Sequence, residues 1–175
     1  MSIITKKICL LGDFNVGKTS LVRRFVENKF SDRYLSTVGV KISRKSVEVK
    51  TQANTEQINL LVWDLEGNTK FKSITPSHLK GASGSIIVGD LTRSNTLDNL
   101  KQHLKLFFQI NPKSKVIVAL NKADLLPPEK LAKLVKNYNI YQLEGIVDVY
   151  ETSAKTGANV VKMFEQLATA ISPDH

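Results

Sequence analysis

A chain of 175 residues, 42% of them hydrophobic, can bury one core but is too short to suggest two, so residues 1–175 read as one domain. No apolar run reaches the roughly 20 residues that span a bilayer, the start lacks the order of a signal peptide, and one cysteine excludes a disulfide or zinc framework, so a soluble cytoplasmic protein is expected. The formal net charge of +9 suits a polyanionic ligand, yet its lysines and arginines are dispersed without interleaved aromatics, and no nucleic-acid partner is expected.

Ile8-Cys9-Leu10-Leu11 is an apolar run that predicts a central strand with Cys9 buried in it. Gly12-Asp13-Phe14-Asn15-Val16-Gly17-Lys18-Thr19 follows, and then Leu21, Val22 and Phe25 mark a helix that should run to about Asn28. Glycines five positions apart let successive backbone N–H groups face one concavity, and the helix that follows adds its positive end, so an anion fits there. Lys18 is expected to reach the β- and γ-phosphates of a nucleotide and the Thr19 hydroxyl to ligate Mg²⁺, with Gly12, Asp13, Asn15, Val16, Gly17 and Ser20 completing the cradle.

The stretch from Phe30 to Val38 reads as an exposed loop. Val40 to Lys50 and Gln57 to Asp64 read as two strands joined by a polar hairpin connection, the first an edge strand and the second, with Ile58-Asn59-Leu60-Leu61-Val62-Trp63, an interior one that leaves the sheet at Asp64. A second loop and a short segment interrupted by Pro76 come next. Ser85 to Val88 is then a buried strand, and Leu97, Leu100, Leu104, Phe107 and Phe108 form one helical stripe. Lys115 to Leu120 is a strand, Leu131, Leu134, Val135 and Tyr138 mark a helix, Ile146 to Tyr150 a strand, and Val160 to Ile171 the last helix. Strands alternating with helices predict an α/β fold with a mostly parallel six-stranded sheet, one antiparallel edge strand and helices on both faces, its ligand bound beyond the strands' carboxyl ends.

The phosphate loop leaves the base open. After the strand ending at Leu120 stands Asn121-Lys122-Ala123-Asp124. Guanine presents its N1–H and 2-amino group side by side, and one carboxylate can accept both, so Asp124 is placed to read guanine and reject adenine. After the next strand stands Thr152-Ser153-Ala154-Lys155, where the Ala154 N–H could donate to guanine O6.

With these motifs in this order, the chain resembles the Ras superfamily of small guanine-nucleotide-binding proteins, and within it the Rab branch, through Ser36-Thr37-Val38-Gly39-Val40, Phe71-Lys72-Ser73-Ile74 and Lys80-Gly81-Ala82. The resemblance implies a Ras-like phosphate-loop NTPase fold and a GTP/GDP switch. It implies that Phe30 packs against the guanine and that Tyr34 closes over the phosphates. Thr37 would join Thr19 and Asp64 around Mg²⁺, and the Gly67 N–H would contact the γ-phosphate. Asn121, Lys122, Asp124, Ser153, Ala154 and Lys155 would hold the base. Effectors would meet a surface at Ile42, Trp63 and His78, with an exchange factor and an activating protein as further partners.

The second switch departs from the family. In Asp64-Leu65-Glu66-Gly67-Asn68-Thr69, Asn68 occupies the place of the glutamine that orients the attacking water, beside Lys18 and Thr37 in the catalytic set, and Phe14 stands where a small residue is usual. Slow hydrolysis is therefore expected, the rival readings being a protein that holds GTP with its state set by exchange alone and a phosphate-loop kinase or ATPase. The chain ends Ser172-Pro173-Asp174-His175 without a cysteine-bearing tail, so no stable membrane anchor is expected on it, although a trimmed tail would read the same way.

Overall fold

The computed structural model describes residues 3–33, 36–51, 54–67, 74–138 and 143–173. Its strands are β1 (Ile3–Gly12), β2 (Val40–Lys50), β3 (Thr55–Leu65), β4 (Gly84–Asp90), β5 (Lys115–Asn121) and β6 (Ile146–Glu151). The helices are α1 (Lys18–Glu27), α2 (Pro76–Leu79), α3 (Ser94–Asp98), α4 (Leu100–Ile110), α5 (Pro128–Asn137) and α6 (Val160–Ala170). The strands form one sheet in the order β2-β3-β1-β4-β5-β6. All neighbouring pairs are parallel except β2 with β3. This is the Ras-like arrangement that the sequence predicts, with β2 as the antiparallel edge.

Alternation along the strands sorts the core into two layers. Ile8, Leu10, Ile58, Leu60, Ile86, Val88, Ile117 and Ala119 pack with Phe25 of α1 and Phe164 of α6. Cys9, Leu11, Ile87, Val116, Val118 and Leu120 point the other way, onto Leu79, Leu100, Leu104 and Phe107. Phe25 and Phe164 stack with ring centroids 4.0 Å apart. Burying a side chain such as Phe164 or Phe107 contributes about 1.5–3 kcal/mol, so the interior strands and the helices beside them carry most of the stability.

Three local expectations need correction. The stripe from Leu97 to Phe108 runs through two helices, α3 and α4, with Asn99 between them at φ −76° and ψ −10°. Pro76 opens α2 instead of interrupting a segment, since its fixed φ and missing N–H cost nothing at a first helical position. And β3 runs to Leu65, one residue beyond the expected exit, through the pairing of Val40 with Leu65.

Candidate functional site

Because β1, β3, β4, β5 and β6 run the same way, their carboxyl ends at Gly12, Leu65, Asp90, Asn121 and Glu151 lie along one edge of the sheet. A cleft of about 350 Å³ opens there, lined by Phe14, Asn15, Gly17, Lys18, Thr19, Ser20, Phe30, Thr37, Gly67, Asn121, Lys122, Asp124, Ala154 and Lys155, among others. Gly12, Asp13, Val16, Asp64 and Ser153, also expected at the site, do not line it. Tyr34, Asn68 and Phe71 to Ser73 lie outside the described residues.

The phosphate loop is close-built. At Gly17 φ is +100°, and a Cβ there would stand 2.3 Å from Asn121 Nδ2, so glycine is required. Asn121 Nδ2 donates to the Val16 carbonyl at 3.0 Å, and Val16 itself is fully buried. At Gly67 a Cβ would fall 2.5 Å from Lys18 Nζ and 2.7 Å from the Asp13 oxygen, so only glycine lets the second switch lie against the loop. Lys18, 6% exposed, donates to the carbonyls of Gly12 at 2.9 Å and Asp13 at 2.8 Å. Burial lowers its ammonium to about 8, against the pull of Asp64 and Asp13 and with a push from Arg93.

Beside Lys18, three oxygens converge. The Thr19 hydroxyl lies 2.5 Å from both Thr37 Oγ1 and Asp64 Oδ2, and Thr37 Oγ1 lies 3.4 Å from the same carboxylate oxygen. Asp64 is 1% exposed, and its other oxygen, Oδ1, is buried without a hydrogen-bond partner among the described residues. Burial raises its acid pKa, which the Thr19 hydroxyl, Lys18 and Thr37 only partly oppose. Two hydroxyls and one carboxylate with an unsatisfied oxygen fit a hard cation that keeps several waters and shares substrate phosphates, as Mg²⁺ does.

At the other end of the cleft, Ser153 Oγ donates to Asp124 Oδ1 at 2.7 Å, which fixes the carboxylate. Arg24 of α1 reaches across to donate to the carbonyls of Ala154 at 2.8 Å and Lys155 at 2.5 Å, holding that turn in place. Phe30 is half-buried against the α1/α6 layer and faces the cleft.

The family model described as "Ras family" matches residues 7–173. The chain belongs to the Ras family. It is 33% identical over 174 residues to Ras-related protein Rab-22A of Homo sapiens, covering 98% of this chain and 86% of that protein. It is 35% identical to Ras-related protein RABF2a of Arabidopsis thaliana, with coverage of 94% and 80%, and 35% identical to Ras-related protein Rab-1A of Dictyostelium discoideum, with coverage of 94% and 79%. As a Ras-family chain with Rab relatives it is a small GTPase that binds GTP and GDP. The kinase or ATPase reading falls with that membership. No helix among the described residues is long and apolar enough to cross a membrane.

Several side-chain contacts around this Ras-family site escape a reading of the sequence. Asp13 turns its carboxylate out of the cleft, onto Asn99 and His103 of the α3/α4 segment. Asp90, buried at the end of β4, takes Lys122 and Arg93 on one oxygen and the backbone and hydroxyl of Thr92 on the other. His103 carried a signal: it stands three residues after Leu100 and four before Phe107, on the stripe's buried face.

The expected effector surface is partly assembled. Ile42, 54% exposed, is the direct cross-strand partner of half-buried Trp63. Lys7 Nζ sits 3.9 Å from the Trp63 ring centroid and donates to the Lys80 carbonyl. Half-buried His78 lies on α2, its carbonyl facing the Cys9 thiol.

Proposed function

We propose that this GTPase is a GTP/GDP switch with slow Mg²⁺-dependent hydrolysis that signals through its two switch loops. The observation that carries this reading is the buried Asp64 oxygen that has no partner among the described residues, next to the Thr19 and Thr37 hydroxyls, which line a cleft whose far end holds Asp124. Thr19, Thr37 and Asp64 would hold the Mg²⁺, which when bound neutralises charge on the β- and γ-phosphates. Lys18 meets the same phosphates as a fixed cation, and the backbone N–H groups of residues 13 to 19 cradle them. Gly67, pressed against the loop, would contact the γ-phosphate through its N–H. At the base, Asp124 accepts both guanine donors, Ala154 N–H donates to O6, Phe30 covers one side, and Asn121, Lys122, Ser153 and Lys155 hold these groups in register.

Loss of the γ-phosphate releases Thr37 and Gly67 together, which is how a chemical event becomes a change in the surface around Ile42, Trp63 and His78. His78 puts an imidazole on that surface beside the apolar Ile42 and Trp63. Slow turnover follows from Asn68, whose amide is one methylene shorter than that of glutamine and falls short of an attacking water by roughly an ångström on the same backbone.

A second reading, in which turnover is negligible and exchange alone sets the state, is favoured by Phe14. Phe14 is 46% exposed and lines the cleft, where an arginine supplied by an activating protein would have to pass. Single-turnover hydrolysis of bound GTP at saturating Mg²⁺ tests both readings. Slow but complete conversion that Asn68→Gln accelerates supports the switch. No conversion over the lifetime of the complex supports the second reading, and a fast unmutated rate that Asn68→Gln leaves unchanged overturns both.

A further inference from the structure

Behind the phosphate loop, outside the cleft lining, Asp13 meets the start of α4. Its carboxylate is 1% exposed and accepts the Asn99 amide on Oδ2 at 2.7 Å and His103 Nε2 on Oδ1 at 2.8 Å. His103 is itself fully buried. Burial lowers its pKa, against the pull of the Asp13 hydrogen bond, and with a carboxylate as the acceptor the ring's Nε2–H is the donor. The two residues reach across 86 and 90 positions of sequence to grip a single side chain.

The same Asp13 presents its backbone carbonyl to Lys18. An ammonium has three N–H donors in tetrahedral directions, and two of those on Lys18 go to the carbonyls of Gly12 and Asp13. Fixing those two sets the direction of the third. The Asp13 carbonyl holds its aim only while the residue cannot turn about its own backbone bonds, and two hydrogen bonds on its side chain prevent that turn. The carbonyl is also the atom against which Gly67 closes.

We propose that Asn99 and His103 are positioning residues for Lys18, acting through Asp13, so that the α3/α4 junction sets how firmly the site holds the phosphates of a guanine nucleotide. This rests on the nucleotide reading above. It makes α4 a handle on the site: any partner that shifts this helix shifts the aim of the lysine.

The test is dissociation of a fluorescent GDP analogue from the full chain, with the unfolding midpoint measured on the same samples. His103→Leu should speed dissociation about tenfold, and His103→Gln, whose amide nitrogen reaches as far as the imidazole Nε2, should stay within about twofold of the unmutated rate. Asn99 is half-buried, so Asn99→Ala keeps the test in force where His103→Leu does not fold, and it should speed dissociation about threefold. Lowered midpoints with unmutated dissociation rates, or His103→Gln as fast as His103→Leu, would overturn the proposal and leave a packed pair with no influence on the site. Failure of the unmutated chain to take up guanine nucleotide would instead bring down the site reading, and this proposal with it.

Discussion

Lys122 Nζ lies 2.7 Å from Asp90 Oδ2 and donates to the Asn15 carbonyl at 2.9 Å. Arg93 repeats the arrangement from the other side, its Nε 3.0 Å from the same carboxylate oxygen and its terminal nitrogen donating to the Phe14 carbonyl at 2.7 Å. One buried carboxylate thus holds two cations, and the two cations fasten adjacent peptides of the phosphate loop to the ends of β4 and β5.

Asp90→Asn should therefore destabilise the fold. Breaking a buried pair costs 3–5 kcal/mol, but Lys122 and Arg93 are 26% and 36% exposed and regain water, so about 2 kcal/mol is expected. Burial alone would raise the Asp90 pKa; the hydrogen bonds from Lys122, Thr92 and Arg93 outweigh it and leave it lowered. A depressed folded-state pKa stabilises above the unfolded value near 3.9, and that stability is lost as pH falls toward the folded value. The stability gap between the unmutated protein and Asp90→Asn, from denaturant titrations, should be full at pH 7 and shrink below about pH 4. A gap that widens on acidification would contradict the assignment.

Base selectivity gives a second expectation. Ser153 fixes Asp124 by one hydrogen bond, so Asp124→Asn turns the group that meets guanine's two donors into one that is partly a donor itself. GTP affinity should fall about 100-fold and xanthosine triphosphate should gain, since a site built for particular donors penalises their loss strongly. Equal binding of ATP and GTP by the unmutated protein would remove the basis for this.

Why some of this was legible in the sequence and some not comes down to range. The strands could be read because apolar runs such as Ile8 to Leu11 and Val116 to Leu120 are local patterns, and the loops at their ends carry Lys18, Asp124 and Ser153 in a recognisable order. The division at Asn99 interrupts no periodicity, since Leu97, Leu100, Leu104 and Phe107 are all buried across it. Asn99 keeps a helical φ and ψ between α3 and α4, so neither a glycine, a proline nor a gap in the apolar spacing marks the division in the sequence. The partners of Asp13 and Asp90 on other elements stand up to 90 positions away, and only the fold brings them together.

Cys9 provides a probe of the core. Burial pushes its thiol up to about 12, a small opposing pull from Lys7 notwithstanding, so almost none is thiolate at pH 8. Labelling by iodoacetamide should be undetectable in the folded protein and should rise with denaturant in step with the loss of circular dichroism. Rapid labelling under native conditions would mean that β1 opens locally, contrary to its place between β3 and β4.

The last expectation concerns Glu66, which joins the two switch segments. Its backbone N–H donates to the Gly39 carbonyl at 2.8 Å, and its carboxylate accepts the Gly39 N–H at 3.0 Å. The first bond prolongs the β2/β3 ladder beyond Val40 and Leu65, and the second replaces a ladder bond with a side chain. A carboxylate that accepts a backbone N–H in a half-exposed place contributes about 1 kcal/mol, roughly fivefold in an opening equilibrium. Glu66→Ala should therefore raise the exchange rate of the Gly39 amide about fivefold while leaving the amides of β3 protected. The bond to Glu66 makes no use of a γ-phosphate, so it is expected to persist between Gly39 and Glu66 when the neighbouring Thr37 and Gly67 lose their phosphate contacts. Replacing GDP by a non-hydrolysable GTP analogue should change Gly39 exchange little in the unmutated protein and more in Glu66→Ala, where the nucleotide alone must order the first switch. Equal nucleotide dependence in the two proteins, measured by hydrogen exchange at one pH, would mean that the carboxylate bond adds nothing to the coupling between the switches.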